Sequence, residues 1–466
     1  MNLIYDIKDK PKFGQLIVFA IQQLLAIMAA TLVVPVIIGN GMSPAAALFG
    51  AGVGTLIYVL FTKAKSPVFL GSSFAFIGSM TTAFAGAVSA QAGYAGLIIG
   101  AAFAGLVYAV ISLIVKFAGV KWINKLMPAV VIGPTVSIIG LSLAGNAVGD
   151  LQKCAMPDAY PLLCVLCGLV ALFVTMLCSS YGKKMIKLIP FIIGILSGYA
   201  VALIITLIGK AAGIPALEII SFEPFKALVA DGVNASTFVQ IPEFTFVTAF
   251  KGVKDLDATY IGTIAIAYIP VAFVVFAEHI ADHKNISSII GRDLLEEPGL
   301  SNTLLGDGVG SIFGAFFGGC PNTTYGESVA CVAITRNASV VTIITTAILA
   351  ILISFLSPFI AFVNSIPNCV MGGVCMALYG FIAVSGLKMF KELDLNQNKN
   401  LFVVSIILIA GIGGLTLTFG KFTLTAIATA LILGIITNIV LSNPKNSNHT
   451  LSSGKASGSA GFFMLK

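Results

Sequence analysis

Apolar stretches of 18 or more residues recur along most of this chain, and that recurrence limits what it can become. Roughly 20 apolar residues, at ~1.5 Å of rise each, cross a hydrocarbon core of about 30 Å. A soluble chain of 466 residues would divide into two or three domains, but 58% hydrophobic against 10% charged residues argues for a polytopic membrane protein. The mean hydropathy of +1.03 agrees. The charged opening "MNLIYDIKDKPKF" precedes the first span. With many spans behind it, that span is not read as a cleaved signal peptide.

Fourteen spans are placed at 15–38, 44–61, 67–87, 93–116, 128–147, 160–179, 189–209, 259–283, 301–319, 320–337, 339–363, 366–387, 401–420 and 422–441. An even count puts both ends on one side, and the basic residues test it. With the N-terminus cytoplasmic, all but six of the 26 lysines and arginines fall in inner segments; the exceptions are Lys153, Lys210, Lys226, Lys251, Lys254 and Lys421. The net charge of +7 is thereby explained without a nucleic-acid partner. The eight cysteines lie mostly in apolar runs, so the C-x-x-C of Cys164 and Cys167 reads as helix filler, with no disulfide framework. The tail 443–466 is flexible in composition.

The long loop 210–258 splits the spans seven and seven, and the halves echo each other. "PAVVIG" opens the fifth span at Pro128, and "PNCVMG" opens the twelfth at Pro367. The third span carries a small polar run ending at Phe74, "SPVFLGSSF"; the tenth carries "CPNTTY", ending at Tyr325. Repeats of seven spans in one membrane have opposite orientation, the usual build of secondary transporters. Both polar runs are poor helix formers. Non-helical backbone survives at membrane depth only inside protein or beside a cavity, and a helix that restarts there exposes amide donors at its positive end. The interrupted spans therefore read as a polar binding cradle, with Glu327 in the second.

A further constellation is "FAEHIADHKN" at the end of the eighth span. Glu278 and Asp282 share one helical face; His279 and His283 share its neighbour. The histidines lack a third metal ligand, so neither a metal nor another cofactor is expected. His283 is read as part of a solvated helix end at the cytoplasmic surface, the bland alternative for Lys284 and Asp282 as well, whereas Glu278 lies deeper, where an ionisable residue implies function. Asp307 is another acidic residue at membrane depth, either paired to a neighbouring helix or directly involved.

Taken in order, "ATLVVPV", "LGSSFAFI", "AEHI", "DLLEEPGL", "PNTTYGE", "AITR" and "VMGG" make nearly the whole chain resemble the nucleobase–ascorbate transporters, most of all their bacterial uracil permeases. That resemblance implies an all-α fold of fourteen spans in two inverted repeats of seven, with short antiparallel strands interrupting spans 3 and 10. It implies a core domain from 1–126 and 259–364, a gate from 127–209 and 365–442, and an outer loop at 210–258. It makes Glu278 and Glu327 the base-binding carboxylates, with Phe74, Tyr325, Gly326, Ala30 and Tyr379 around them, and Ser328, Asp307 and Gln23 in support. The implied activity is proton-coupled import of uracil or a related nucleobase across the cell (inner) membrane, by a homodimer embedded in lipid, with Glu278 or Asp282 carrying the coupling proton.

The chain departs from the pattern in places. Asp282 stands where uracil permeases often have histidine, as in purine-transporting relatives; Gln22-Gln23 replaces a Gln-His pair; Ser328 and Ala330 replace an asparagine and a glycine. These differences leave a xanthine or dual-specificity permease as the main alternative. An anion transporter of the same architecture is more distant, because the cradle is acidic. A membrane-embedded enzyme is excluded for want of a metal set or a nucleophile–base arrangement in these motifs.

Overall fold

The structure, a computed structural model, describes residues 3–119, 128–183, 185–230, 232–419 and 422–442. The tail 443–466 therefore lies outside the described residues. Without water to satisfy backbone groups, the apolar stretches close their hydrogen bonds internally as helices. In the first half these are α1 (Phe13–Ile38), α2 (Pro44–Phe61), α3 (Ile77–Ala85), α4 (Ala90–Ala118), α5 (Ala129–Ser142), α6 (Ala144–Gln152), α7 (Pro161–Tyr181) and α8 (Pro190–Ala212). In the second half they are α9 (Ala258–Ile290), α10 (Leu300–Gly318), α11 (Gly326–Thr335), α12 (Val340–Ile353), α13 (Ser357–Ser365), α14 (Asn368–Lys388), α15 (Asn398–Ile412) and α16 (Ala426–Leu441). Among the described residues, eight helices are long and apolar enough to cross a membrane, the run Ala129–Gln152 counting as one. Helix starts are chemically marked: Ser43, Ser89 and Asp257 accept from backbone amides in the first turns of α2, α4 and α9.

Two short strands cross where the polar runs interrupt the spans. β1 (Leu70–Ser72) pairs antiparallel with β2 (Asn322–Thr324), in the register Leu70↔Thr324 and Ser72↔Asn322. The ladder extends at both ends, from Ser73 N–H to the Pro321 carbonyl at 2.9 Å and from Tyr325 N–H to the Phe69 carbonyl at 3.3 Å. The crossing is buried, so pairing the two strands satisfies backbone groups that neither could satisfy alone.

The fold is not wholly helical beyond that crossing, which corrects the expected spans 401–420 and 422–441. α15 stops at Ile412, and β3 (Leu417–Phe419) pairs antiparallel with β4 (Phe422–Leu424) before α16 begins. Gly411, Gly413 and Gly414 weaken the helix, Gly414 adopting φ 70°. The alternating Thr and apolar residues that follow suit a strand. The hairpin packs against α9.

By packing, the helices fall into two groups. α2 lies against α10 and α12, α4 against α9 and α10, and α1 against α12; separately, α14 lies against α5, α6 and α7, α7 against α8, and α15 against α16. α1 and α9 face the second group, touching α8 and α14 in one case and α5, α16 and β4 in the other. Within the first group α2 and α10 meet backbone to backbone. A Cβ on Gly50 would come 2.5 Å from the Gly314 carbonyl oxygen, and one on Gly54 would come 2.7 Å from that of Gly310.

Candidate functional site

β2 delivers the chain into α11 at mid-structure. Tyr325, extended at φ −108°, immediately precedes the helix, and no side chain caps it. The first-turn amides of α11 thus keep the donor capacity and positive end that helix starts possess. Along α11, Gly326, Ala330 and Ile334 are exposed and Glu327 and Ala333 half-buried, while Ser328, Val329, Cys331 and Val332 are buried. One face of this short helix therefore borders open space, and Glu327 stands at the start of that face.

α9 packs against both α11 and β2. Its Glu278 is half-buried, and the carboxylate lies within Coulombic reach of Asp282, Glu327 and Asp307. Asp282 accepts a hydrogen bond from Thr324 Oγ1 at 2.8 Å, which ties α9 to the end of β2. Asp282 also faces Gly326, where a Cβ would sit 3.8 Å from its Oδ1. The carboxylates of Glu278, Asp282 and Glu327 thus gather around the start of α11. Thr324 was not singled out from sequence. The signal for it is the two-residue period of β2, which puts Asn322 and Thr324 on one face.

The remaining predicted residues act as walls and braces. Phe74, in the 3₁₀ turn Phe74–Phe76 after β1, meets Tyr379 of α14 edge to face, with centroids 5.9 Å apart and planes at 76°. This contact joins the two helix groups beside the crossing. Tyr325 donates from its hydroxyl to the Ser72 carbonyl at 2.8 Å and accepts from Thr31 Oγ1 at 3.4 Å. Its ring fills the space a side chain on Gly71 would need. Gln23 of α1 donates to Ser328 Oγ at 2.5 Å, and Ser328 Oγ also accepts from Phe69 N–H at 3.0 Å, so one serine holds α1, the approach to β1 and α11 together. Ala30 is buried in α1.

The expected solvated helix end is corrected. His283 is fully buried and Asp282 is 8% exposed. α9 runs on to Ile290 and ends at Gly291, in the left-handed conformation. His283 Nδ1 meets the His279 carbonyl at 2.8 Å and, since a carbonyl only accepts, must donate. In the neutral ring Nε2 then accepts from Tyr58 OH at 2.6 Å, and that hydroxyl also meets Ser66 Oγ at 2.7 Å. The His279 and His283 rings stack 4.0 Å apart. His279 bonds Asp307 Oδ2 at 2.7 Å and Thr303 Oγ1 at 3.0 Å. Asp307 is thus paired to α9 through its Oδ2. Lys284 is exposed, as expected.

A cavity of about 290 Å³ opens at the far end of α1, between Ile38 and Gly39, Asp150 of α6 with Lys153 just after it, and Asn368 and Cys375 of α14. Cys375, on its wall, lies one turn before Tyr379 in α14.

Long apolar helices, a crossing of two short strands at mid-structure and a cluster of carboxylates beside an uncapped helix start define a membrane transporter of the crossed-strand type. The sequence model described as "Permease family", which covers xanthine and uracil permeases, matches residues 14–420. The chain belongs to that family, the nucleobase–ascorbate transporters. It is 38% identical over 442 residues to the uracil permease of Bacillus caldolyticus, covering 94% of each chain. It is 37% identical over 447 residues to the uracil permease of Bacillus subtilis (strain 168), covering 94% of this chain and 95% of that one. The uracil permease of Escherichia coli (strain K12) is 34% identical over 435 residues, with 92% of each covered. Among solved structures, the transmembrane domain of the cyanobacterial bicarbonate transporter BicA superposes with a TM-score of 0.61 at 15% identity, over 93% of this chain and all of that one. The murine anion transporter Slc26a9 also gives 0.61, at 12% identity, over 93% of this chain and 69% of that one. These two likenesses concern the fold alone.

Proposed function

We propose that the chain imports uracil together with a proton by alternating access. The observation that carries the reading is the electrostatic proximity of Glu278 and Glu327, both half-buried, beside the uncapped start of α11. Uracil offers two N–H donors and two carbonyls on a flat ring. Glu278 and Glu327 accept from the N–H groups, first-turn amides near Gly326 donate to a carbonyl, and Phe74, Tyr379 and Ala30 close the ring's surroundings. Tyr325, Ser328 and Gln23 hold these parts in place. Two carboxylates facing one dry pocket do not both remain charged at low cost, so Glu278 or Asp282 takes up the coupling proton with the base and gives it up on the other side.

On this reading the helices make fourteen spans in two inverted repeats. Residues 1–126 and 259–364 form a core, 127–209 and 365–442 form a gate, and 210–258 form an outer loop. The protein sits in the cell membrane with cytoplasmic ends and pairs as a homodimer. The two packing groups support the division into core and gate, and the names of the relatives support the membrane setting.

The test is uptake of labelled uracil into proteoliposomes with and without an inward pH gradient. Accumulation above equilibrium that needs the gradient is expected; gradient-independent equilibration refutes the coupling, and no uptake refutes the substrate. Asp282, placed beside Gly326, favours a second reading as a xanthine or dual-specificity permease. Competition by unlabelled xanthine at concentrations where uracil competes separates the two.

A further inference from the structure

Three thiols meet where the connection after α6 returns to the bundle. Cys154 lies in that connection and is partly exposed; Cys164 is buried in the first turn of α7. Their Sγ atoms are 2.6 Å apart. A disulfide bond measures about 2.05 Å, so a shift of roughly half an ångström separates this contact from a covalent one. Cys369, in the first turn of α14, adjoins Cys164. All three are free thiols in the structure.

We propose that Cys154 and Cys164 are an oxidation site, at which a disulfide compound converts the two thiols into an intramolecular disulfide that staples the α6–α7 connection to α7. The thiolate of Cys154, the one with solvent access, attacks one sulfur of a small disulfide such as oxidised glutathione. A protein–glutathione disulfide forms and one glutathione thiolate leaves. Cys164 then attacks the Cys154 sulfur and expels the second glutathione. Two protein thiols are oxidised, one glutathione disulfide is reduced to two thiols, and the two thiol protons pass to them. Burial and the neighbouring Cys164 sulfur push the Cys154 thiol up to about 11, so attacking thiolate is scarce at neutral pH and the reaction is slow.

Geometry selects this pair over Cys164 with Cys369. The latter two are both buried, in helices that press together at this level, where a Cβ on Gly168 would collide with the Cys369 carbonyl. A small oxidant reaches neither. The Cys154–Cys164 bond also lies wholly within the second helix group and does not cross the seam formed by α1 and α9. Oxidation should therefore raise thermal stability and leave uptake in place. The connection carries Lys153, on the rim of the cavity at the far end of α1, so the staple also fixes one lip of that opening.

The test uses the full chain, in detergent and in native membranes, treated with oxidised glutathione. Free thiols are counted, unreduced peptides mapped by mass, and thermal unfolding recorded. The expected result is loss of two of the eight thiols, a cross-linked peptide joining Cys154 to Cys164 and lighter by two hydrogens, and a higher melting midpoint reversed by reductant. C154S and C164S should each abolish the cross-link, and C369S should keep it. C154S alters only the connection, so its folding is checked by unchanged uptake. Retention of all thiols, a peptide joining Cys164 to Cys369, or an unaltered loss of two thiols in C154S would overturn the proposal.

Discussion

The two arms of the strand crossing look alike in sequence and differ in what they face. In the first, Leu70 through Phe76 is buried throughout, and the chain re-enters helix through a 3₁₀ turn. In the second, burial stops at Tyr325, and Gly326 and Glu327 open onto space. Their glycines mark the contrast. The missing side chain of Gly71 is replaced by the Tyr325 ring, whereas Gly326 looks across a gap toward Asp282. One arm is a wall, and on the proposed function the other carries the chemistry. Two strands paired in one ladder need not share work, because packing has to be completed on only one side of a pocket.

That contrast can be broken by substitution. The largest effect is expected for Glu327→Gln, which exchanges a charged acceptor for a neutral amide. Hydrogen bonds to charged groups contribute about 1.5–3 kcal/mol, so uptake efficiency should fall roughly 10- to 100-fold with the melting curve unmoved. Unchanged uracil affinity would remove Glu327 from the pocket. Next comes Gly71→Ala, whose methyl collides with the Tyr325 ring. Overpacking of this kind costs about 1–3 kcal/mol and should lower the unfolding midpoint. Gly326→Ala, with ordinary contact distances, should leave that midpoint alone and reduce uptake. Equal shifts for the two alanines would erase the distinction between the arms.

Ser328→Ala sharpens the comparison at the joint between them. It strands the Phe69 N–H and the Gln23 amide, at a cost of about 1–3 kcal/mol seen in thermal unfolding, with uptake lost in proportion. The smallest effect is expected for Phe74→Leu. The edge-to-face pair with Tyr379 contributes about 0.5–1.5 kcal/mol, so a rise in KM of a few-fold at near-constant stability is the outcome to seek.

Much of this was legible in the residues because membrane depth makes polar groups conspicuous. Two interrupted spans, a carboxylate in one of them and Glu278 on a long apolar helix could be picked out without a partner in view. The segment "AEHIADH" marks the limit. Its two ion-bearing faces are indistinguishable by spacing, yet Glu278 and Asp282 turn toward α11 while His279 and His283 turn toward Asp307 and Tyr58. Those partners lie 28 and 225 residues away in the chain. Nothing local to a helix end announces that a distant tyrosine will cover it. The hairpin after α15 escaped notice for another reason. Leu417–Leu424 is apolar enough to pass for span, and only its threonine alternation and the preceding glycines speak for strand.

The glycine contacts between α2 and α10 restrict how such a protein can work. Where the two ribbons touch through main chain at Gly50 and Gly54, only the Asn322 amide, which donates to the Gly50 carbonyl, is set into the contact, and a slip of less than a full turn would drive carbonyl oxygens into the neighbouring ribbon. The pair behaves as a single girder. On the proposed function, relocation of the site relative to the bilayer would then fall to joints cushioned by bulky rings, such as Phe74 against Tyr379.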